Sequence, residues 1–238
     1  MIRKELIRRS PLRILEKSTK GGVQKGNIGV IAARKGVGKT ACLVHIATDQ
    51  LLLGKHIIHI SFAENTNYII AWYEDIFREI AGRFNLDDAL LVHDEIVKNR
   101  IIMNFSQAEI HIEEIKKSVA RLIEKGNFSA DTVVIDGYDF SASSQRELEA
   151  FKQFASELGL SLWFSATVKD GAEQFDGSSI PAQLSKFASE ISLIICLQPK
   201  GDYINLNLVK DHGHDIPFDP HLKLDPKILL IADENQYN

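Results

Sequence analysis

The sequence predicts an α/β domain, with a mostly parallel central sheet, helices on both faces and an antiparallel extension at the C-terminal end. Compact apolar runs rich in β-branched and aromatic residues alternate with helical periodicities over the first two thirds of the chain. The helical stretches are closed by glycines, as helix C-termini commonly are. From about residue 191 the pattern becomes strand, tight turn, strand. Alternating strands and helices bury a parallel sheet on both faces, and ligands of such sheets sit beyond the carboxyl ends of the strands.

Taken in order, Ser10 and Pro11 have the form of an N-cap and first helical residue, and Leu12 with Leu15 starts an apolar stripe ending before Gly21 and Gly22. This predicts a helical lead-in over residues 1–24, ahead of a domain over 25–238. Four apolar runs read as strands: "IGVIAA" (28–33), "HIIHISF" (56–62), "TVVID" (132–136) and "SLWFSAT" (161–167). Helices are expected from Thr40 to Leu53 before Gly54, from Asn67 to Ala81 before Gly82, and from Ser106 to Lys125 before Gly126. Ser106 with Glu109 forms one capping box, and Ser144 with Glu147 opens a further helix that ends near Gly159. The tail reads "ISLIICLQ", a "PKGD" turn, "YINLNLVK" and "KILLI", an antiparallel extension.

Composition limits the function classes. The 238 residues are 45% hydrophobic and 25% charged, an ordinary globular balance. The formal charge of −4 gives no global field for nucleic acid or anionic lipid. The basic opening "MIRKELIRR" is not followed by an apolar core, and no run reaches spanning length, so the expected compartment is the cytoplasm and no membrane partner is expected. Cys42 and Cys196 lack the paired spacing of a metal or redox site and read as small buried hydrophobes.

The chemistry starts at "ARKGVGKT" (33–40), which fits the pattern glycine, four residues, glycine, lysine, threonine with Ala33 in place of the first glycine. A strand there turns sharply into a helix. Gly36 and Gly38 let backbone amides converge on a phosphate, and the positive helix terminus adds attraction. The nucleotide-binding set is Ala33, Arg34, Lys35, Gly36, Val37, Gly38, Lys39, Thr40 and Ala41. Lys39 would bridge the β- and γ-phosphates, and the Thr40 hydroxyl would coordinate an accompanying Mg²⁺. Asp136, ending "TVVID", is the second candidate metal residue, a carboxylate at the same sheet edge. Hydrolysis also needs a group that orients water, and Glu64, after the second strand, is the best candidate. An acid at that place also suits the N-terminus of the next helix.

The arrangement of "ARKGVGKT", "ISFAE", "VVID", "FSATV" and "VKDHG", over roughly residues 25–232, resembles the RecA-like superfamily of P-loop ATPases, which includes replicative hexameric helicases and KaiC-like ATPases. The resemblance implies that Glu64, and not Asp139, is the catalytic glutamate. It implies a sensor in "FSATV", Ser165 or Thr167, although the glutamine often found there is missing. It also implies that a neighbouring subunit completes the site with a lysine, here Lys210, while His212 stands where an arginine is usual. Such a finger contributes about 10³ to 10⁵ in rate, so slow turnover is expected. Arg34 falls where a related group carries a second lysine, but reads more simply as a solvated charge.

Other signals weigh less. His212, His214, Asp211, Asp215 and His221 fit no recognised zinc spacing. In the superfamily, single-stranded DNA is bound by the segments matching 136–144 and 167–181; the second carries Lys169 against Asp170, Glu173 and Asp176, with Phe175 its single aromatic. Phosphate tracking needs positive charge and stacking aromatics, so DNA is disfavoured. Arg3, Lys4, Arg8 and Arg9 form the dense basic cluster, a solvated helix end or an arm for a neighbour. Tyr68, Trp72, Tyr73 and Phe77 form one broad helical face, by default core. The sequence reading is therefore a slow Mg²⁺·ATP hydrolase working as a homo-oligomer, hexameric in the helicase members, with an unidentified protein partner. Its alternatives are a non-hydrolysing nucleotide switch and a DNA-remodelling paralogue.

Overall fold

The computed structural model describes residues 7, 10, 12–19, 21–62, 65–83, 89–106, 112–168, 178–213, 222–225 and 231–233. Their elements, in chain order, are α1 (Leu12–Ser18), β1 (Ile28–Ala33), α2 (Lys39–Leu52), β2 (Ile57–Ser61), α3 (Thr66–Arg83), α4 (Ala89–Lys98), β3 (Arg100–Asn104) and α5 (Ile112–Glu124). There follow β4 (Thr132–Asp136), α6 (Gln145–Leu158), β5 (Ser161–Thr167), α7 (Ala182–Ser185), β6 (Ile191–Lys200), β7 (Tyr203–Asp211), β8 (Leu222–Leu224) and β9 (Ile231–Asp233).

The strands form one sheet in the order β3-β2-β4-β5-β1-β6-β7-β8-β9. Pairings from β3 to β6 are parallel, and β7 to β9 are antiparallel. The expected fold class therefore holds, with one correction: β6 runs parallel to β1, so the antiparallel extension begins one strand later than expected. The turn at Gly201, where φ is 60°, reverses the chain into β7.

Each central strand is buried on both faces. Ile31, Ala33, Val134, Trp163 and Ile195 face a cluster shared with α1, α2, α3 and α4, whereas Val30, Ile60, Ile135 and Phe164 face α5, α6 and α7. Helix α2 is buried almost all round from Ala41 to Leu52, because the sheet lies beneath it and the antiparallel extension beside it. Leu12 and Leu15 of α1 join the same cluster, and Arg13 pairs with the buried Asp49 of α2.

Several local expectations need correction. The sequence patterns do not predict β3, α4, α7 or β8. Gly82 does not close α3, which runs through it to Arg83, and the left-handed residue after α5 is Asn127 (φ 51°) and not Gly126. The box Ser144 and Glu147 is present in full, and α6 ends at a left-handed Gly159. The box Ser106 and Glu109 includes Glu109, outside the described residues. Tyr73 and Phe77 are core, but Trp72 is half-buried and Tyr68 is 56% exposed, so the aromatic face of α3 is only partly internal.

Candidate functional site

The segment from Ala33 to Ala41 is a strand, a turn and a helix start. Gly36 (φ 81°) and Gly38 (φ 96°) both hold positive φ, a conformation that a side chain disfavours. Gly38 is the N-cap of α2 without a side-chain cap, so the first amides of the helix are left to bond a ligand at its positive end. Arg34, Lys35 and Gly36 are exposed, and Val37 packs against the core. The side chains of Ala33 and Ala41 are fully buried, so these two residues can offer a ligand only their backbone.

Lys39 folds back over the turn. Its Nζ donates to the carbonyls of Arg34 at 3.0 Å and Ala33 at 3.3 Å. Partial burial lowers its pKa from the usual lysine value, and the nearby Asp136 carboxylate opposes that shift. A cationic amine held on two neutral carbonyls is poised to exchange them for phosphate oxygens, which carry full charge.

Thr40 and Asp136 meet at the end of the sheet. The Thr40 hydroxyl donates to Asp136 Oδ2 at 2.7 Å, although the residues are 96 apart in the chain. Asp136 is held there because β4 is two strands from β1, with β5 between them. A hydroxyl and a mostly buried carboxylate are hard oxygen donors, which suits Mg²⁺ together with phosphate oxygens and water. On the intervening strand, Ser165 is buried and its Oγ accepts the Gly137 amide at 2.7 Å, fixing the turn just after Asp136. Thr167 is exposed, pairs in register with Ala33 and so stands at the mouth of the turn. Its carbonyl accepts from Gln183 Nε2 at 2.8 Å, which puts a glutamine beside that strand end from α7.

Lys39, Thr40, Asp136, Ser165 and Thr167 are therefore brought to one edge. Glu64 lies outside the described residues; β2 ends at Ser61, which pairs with Asp136. Lys210 is not brought to this edge: it pairs with Ile194, which pairs with Val30, three residues before the end of β1 and two strands away. Burial and Lys152 of α6 lower its pKa, with Asp211 opposing. His212 adopts φ 48° and bonds the buried Asp211 through Nδ1 at 2.7 Å. His214, Asp215 and His221 lie outside the described residues, among which no group of three His, Cys, Asp or Glu is placed to hold a metal. The expectations resting on Arg3, Lys4, Arg8, Arg9, Lys169, Asp170, Glu173, Phe175 and Asp176 also fall outside. Cys42 and Cys196 are buried free thiols, and burial raises the Cys42 pKa to about 12.

Sequence reasoning misses the residues that support this edge. A side chain at Gly38 would meet Leu224 Cδ2 at 2.7 Å, so β8 presses on the turn. The Ile231 amide of β9 donates to Nδ1 of the buried His45 in α2 at 2.9 Å. The antiparallel extension thus braces the helix that bears Lys39 and Thr40. No pattern at Leu224 or His45 signals a contact made across more than 180 residues.

No family model matches this chain. A stretch of 50 residues, 21% of the chain, is 46% identical to the DnaB-like replicative helicase of Enterobacteria phage T4. The match spans only 10% of that helicase. Among solved structures, the ATPase domain of a DnaB-like helicase superposes with a TM-score of 0.63 at 17% identity, covering 84% of this chain and 82% of that one. Among the described residues no helix is long and apolar enough to cross a membrane.

Proposed function

The fold is RecA-like, and on that premise we propose that the chain binds Mg²⁺·ATP at the Ala33–Ala41 turn and hydrolyses it slowly, in step with assembly of several copies. The observation that carries this reading is the meeting of Thr40 and Asp136 at 2.7 Å beside the folded-back Lys39. A hydroxyl, a carboxylate and an amine from two distant segments converge where a positive helix terminus already favours phosphate.

In this reading the amides after Gly36 and Gly38 hold the phosphates, and Lys39 moves from its two carbonyls to the β- and γ-phosphate oxygens. Thr40 and the water held by Asp136 bind Mg²⁺, which neutralises charge on the phosphates. Glu64 polarises the attacking water, Ser165 keeps the Asp136 turn in place, and Thr167 senses the γ-phosphate. Lys210, too far from its own turn, serves a neighbouring copy. Homo-oligomer formation and a cytoplasmic location belong to this proposal.

The test is phosphate release from Mg²⁺·ATP by wild type and Glu64→Gln over a range of protein concentrations, with nucleotide binding measured alongside. Activity that rises with assembly and is lost in Glu64→Gln, with binding retained, supports the reading. Binding without turnover in both proteins makes the chain a nucleotide-gated switch. A second reading, a motor acting on single-stranded DNA, is favoured by the likeness to the phage T4 helicase. It requires stimulation by single-stranded DNA that falls steeply as salt rises.

A further inference from the structure

Strand β2 alternates its side chains, so His59 and Ser61 share one face, the face of Val134 and Asp136 to which they pair on β4. His59 therefore lies two residues below the Asp136 carboxylate on the same face, about 7 Å along the strand. It is completely buried. Its Nδ1 is 3.0 Å from the Tyr73 hydroxyl of α3, and the two rings meet edge to face at 5.6 Å. Nε2 is buried with no hydrogen-bond partner. Buried polar atoms are almost always bonded, so an unbonded imidazole nitrogen beneath a metal-binding carboxylate calls for a reason.

The surroundings fix which nitrogen holds the proton. Tyr73 lies under the Arg100 guanidinium, 4.2 Å from its ring centroid, and Arg100 pairs with Glu74 at 3.7 Å, so α3, β3 and β2 are tied together. Burial lowers the His59 pKa to about 4, with Asp136 opposing and Arg100 adding to the shift, and burial raises that of Tyr73. Both groups are thus neutral. A neutral phenol donating to Nδ1 leaves the imidazole proton on Nε2, where the charge of Asp136 favours it.

We infer that His59 is a positioning residue for Asp136, its Nε2–H holding the carboxylate through one buried water in the orientation that accepts Thr40 and the metal water. Two hydrogen bonds through one water span about 5 to 6 Å, which matches the separation once both side chains lean toward it. The inference rests on the proposed Mg²⁺ site at Thr40 and Asp136. Groups that orient a metal-binding carboxylate typically change metal affinity by roughly 10- to 100-fold when removed.

The test uses a non-hydrolysable ATP analogue and reads, by calorimetry, how much saturating Mg²⁺ tightens its binding relative to EDTA. His59→Leu removes both nitrogens at similar volume and is expected to cut that Mg²⁺-dependent gain about 10-fold, leaving affinity in EDTA unchanged. His59→Gln, whose amide nitrogen can reach the place of Nε2, is expected to restore it to within about threefold. Tyr73→Phe keeps the ring but frees the tautomer, and gives a smaller loss of the same gain even if His59→Leu does not fold. An unchanged gain in His59→Leu or Tyr73→Phe, or equal weakening with and without Mg²⁺, overturns the inference. If wild type itself gains nothing from Mg²⁺, the proposed metal site fails and the inference with it; if wild type gains and the variants match it, only the inference fails.

Discussion

Replacing Gly38 by alanine tests how the phosphate-loop turn is built. Gly38 holds φ 96°, ψ 20°, and a Cβ there would stand 2.7 Å from Leu224 Cδ2. The backbone cost of a side chain in the left-handed region is about 1–2 kcal/mol. The contact adds about 1 kcal/mol, the low end for overpacking, because the atom struck is the far end of a leucine that can shift. The expected loss is thus about 2–3 kcal/mol, read from the midpoint of urea unfolding. The two parts separate in a double-mutant cycle with Leu224→Ala, which itself costs about 2–5 kcal/mol because Leu224 is fully buried. In that background Gly38→Ala should cost only the backbone part, about 1–2 kcal/mol. A cost under about 0.5 kcal/mol in the wild-type background, or an equal cost in both, refutes the account of the turn and of β8 pressing on it.

Lys39→Met should weaken ATP binding by about 100-fold or more, the loss of a charge-assisted contact, yet leave the melting temperature of the ligand-free protein at neutral pH unchanged or higher. The reason is that burial lowers the Lys39 pKa, so its charged form costs stability at all pH values below the folded pKa. A large drop in melting temperature argues against this. Gly29→Ala would place a Cβ 2.5 Å from Val23 and 2.8 Å from the Trp163 ring, both inflexibly packed, and should cost about 1–3 kcal/mol by urea unfolding. The lowered pKa of His59 stabilises the fold above its unfolded value of 6.5, and this is lost as pH falls toward about 4. Wild type should therefore lose on the order of 2 kcal/mol more than His59→Gln between pH 6.5 and 4.5, and parallel pH profiles would contradict it.

What the sequence makes legible is local. A turn that must place glycines before a helix, and a strand that must end in a carboxylate, leave their marks within a few residues, which is why Gly36, Gly38, Lys39, Thr40 and Asp136 can be picked out from the order of residues alone. The capping box at Ser144 is legible for the same reason. Strand direction is not local: "ISLIICLQ" is apolar whichever way it runs, and only its place beside β1 makes β6 parallel. The short edge strand β3 escapes because its residues are only half-buried and show neither a continuous apolar run nor a clean alternation. Gly82 misleads because tertiary packing of Ile76, Phe77 and Ile80 outweighs about 1 kcal/mol of glycine propensity. His59 and Leu224 are invisible because their importance lies in what sits across the sheet from them.

The position of Lys210 leads to a sharper expectation than its chemistry does. It is level with Val30 and two strands away, near Lys152 of α6, whereas Lys39 and Thr40 lie on α2 at the end of β1 and on the opposite face of the sheet. No rotamer of a lysine crosses a packed sheet, so if Lys210 contributes to turnover it does so at another copy's phosphates. Two variants separate the roles: Glu64→Gln keeps Lys210 and loses its own chemistry, while Lys210→Ala keeps its chemistry and has no lysine to give. In a head-to-tail assembly mixed at equal amounts, about a quarter of the interfaces join an intact Glu64 to an intact Lys210. Each variant alone should release little phosphate, and the mixture should recover about a quarter of the wild-type rate per interface. A mixture no faster than the sum of its parts, in particles shown to have exchanged subunits, would remove Lys210 from the mechanism and leave the Ala33–Ala41 turn, Asp136 and Glu64 to act within one chain.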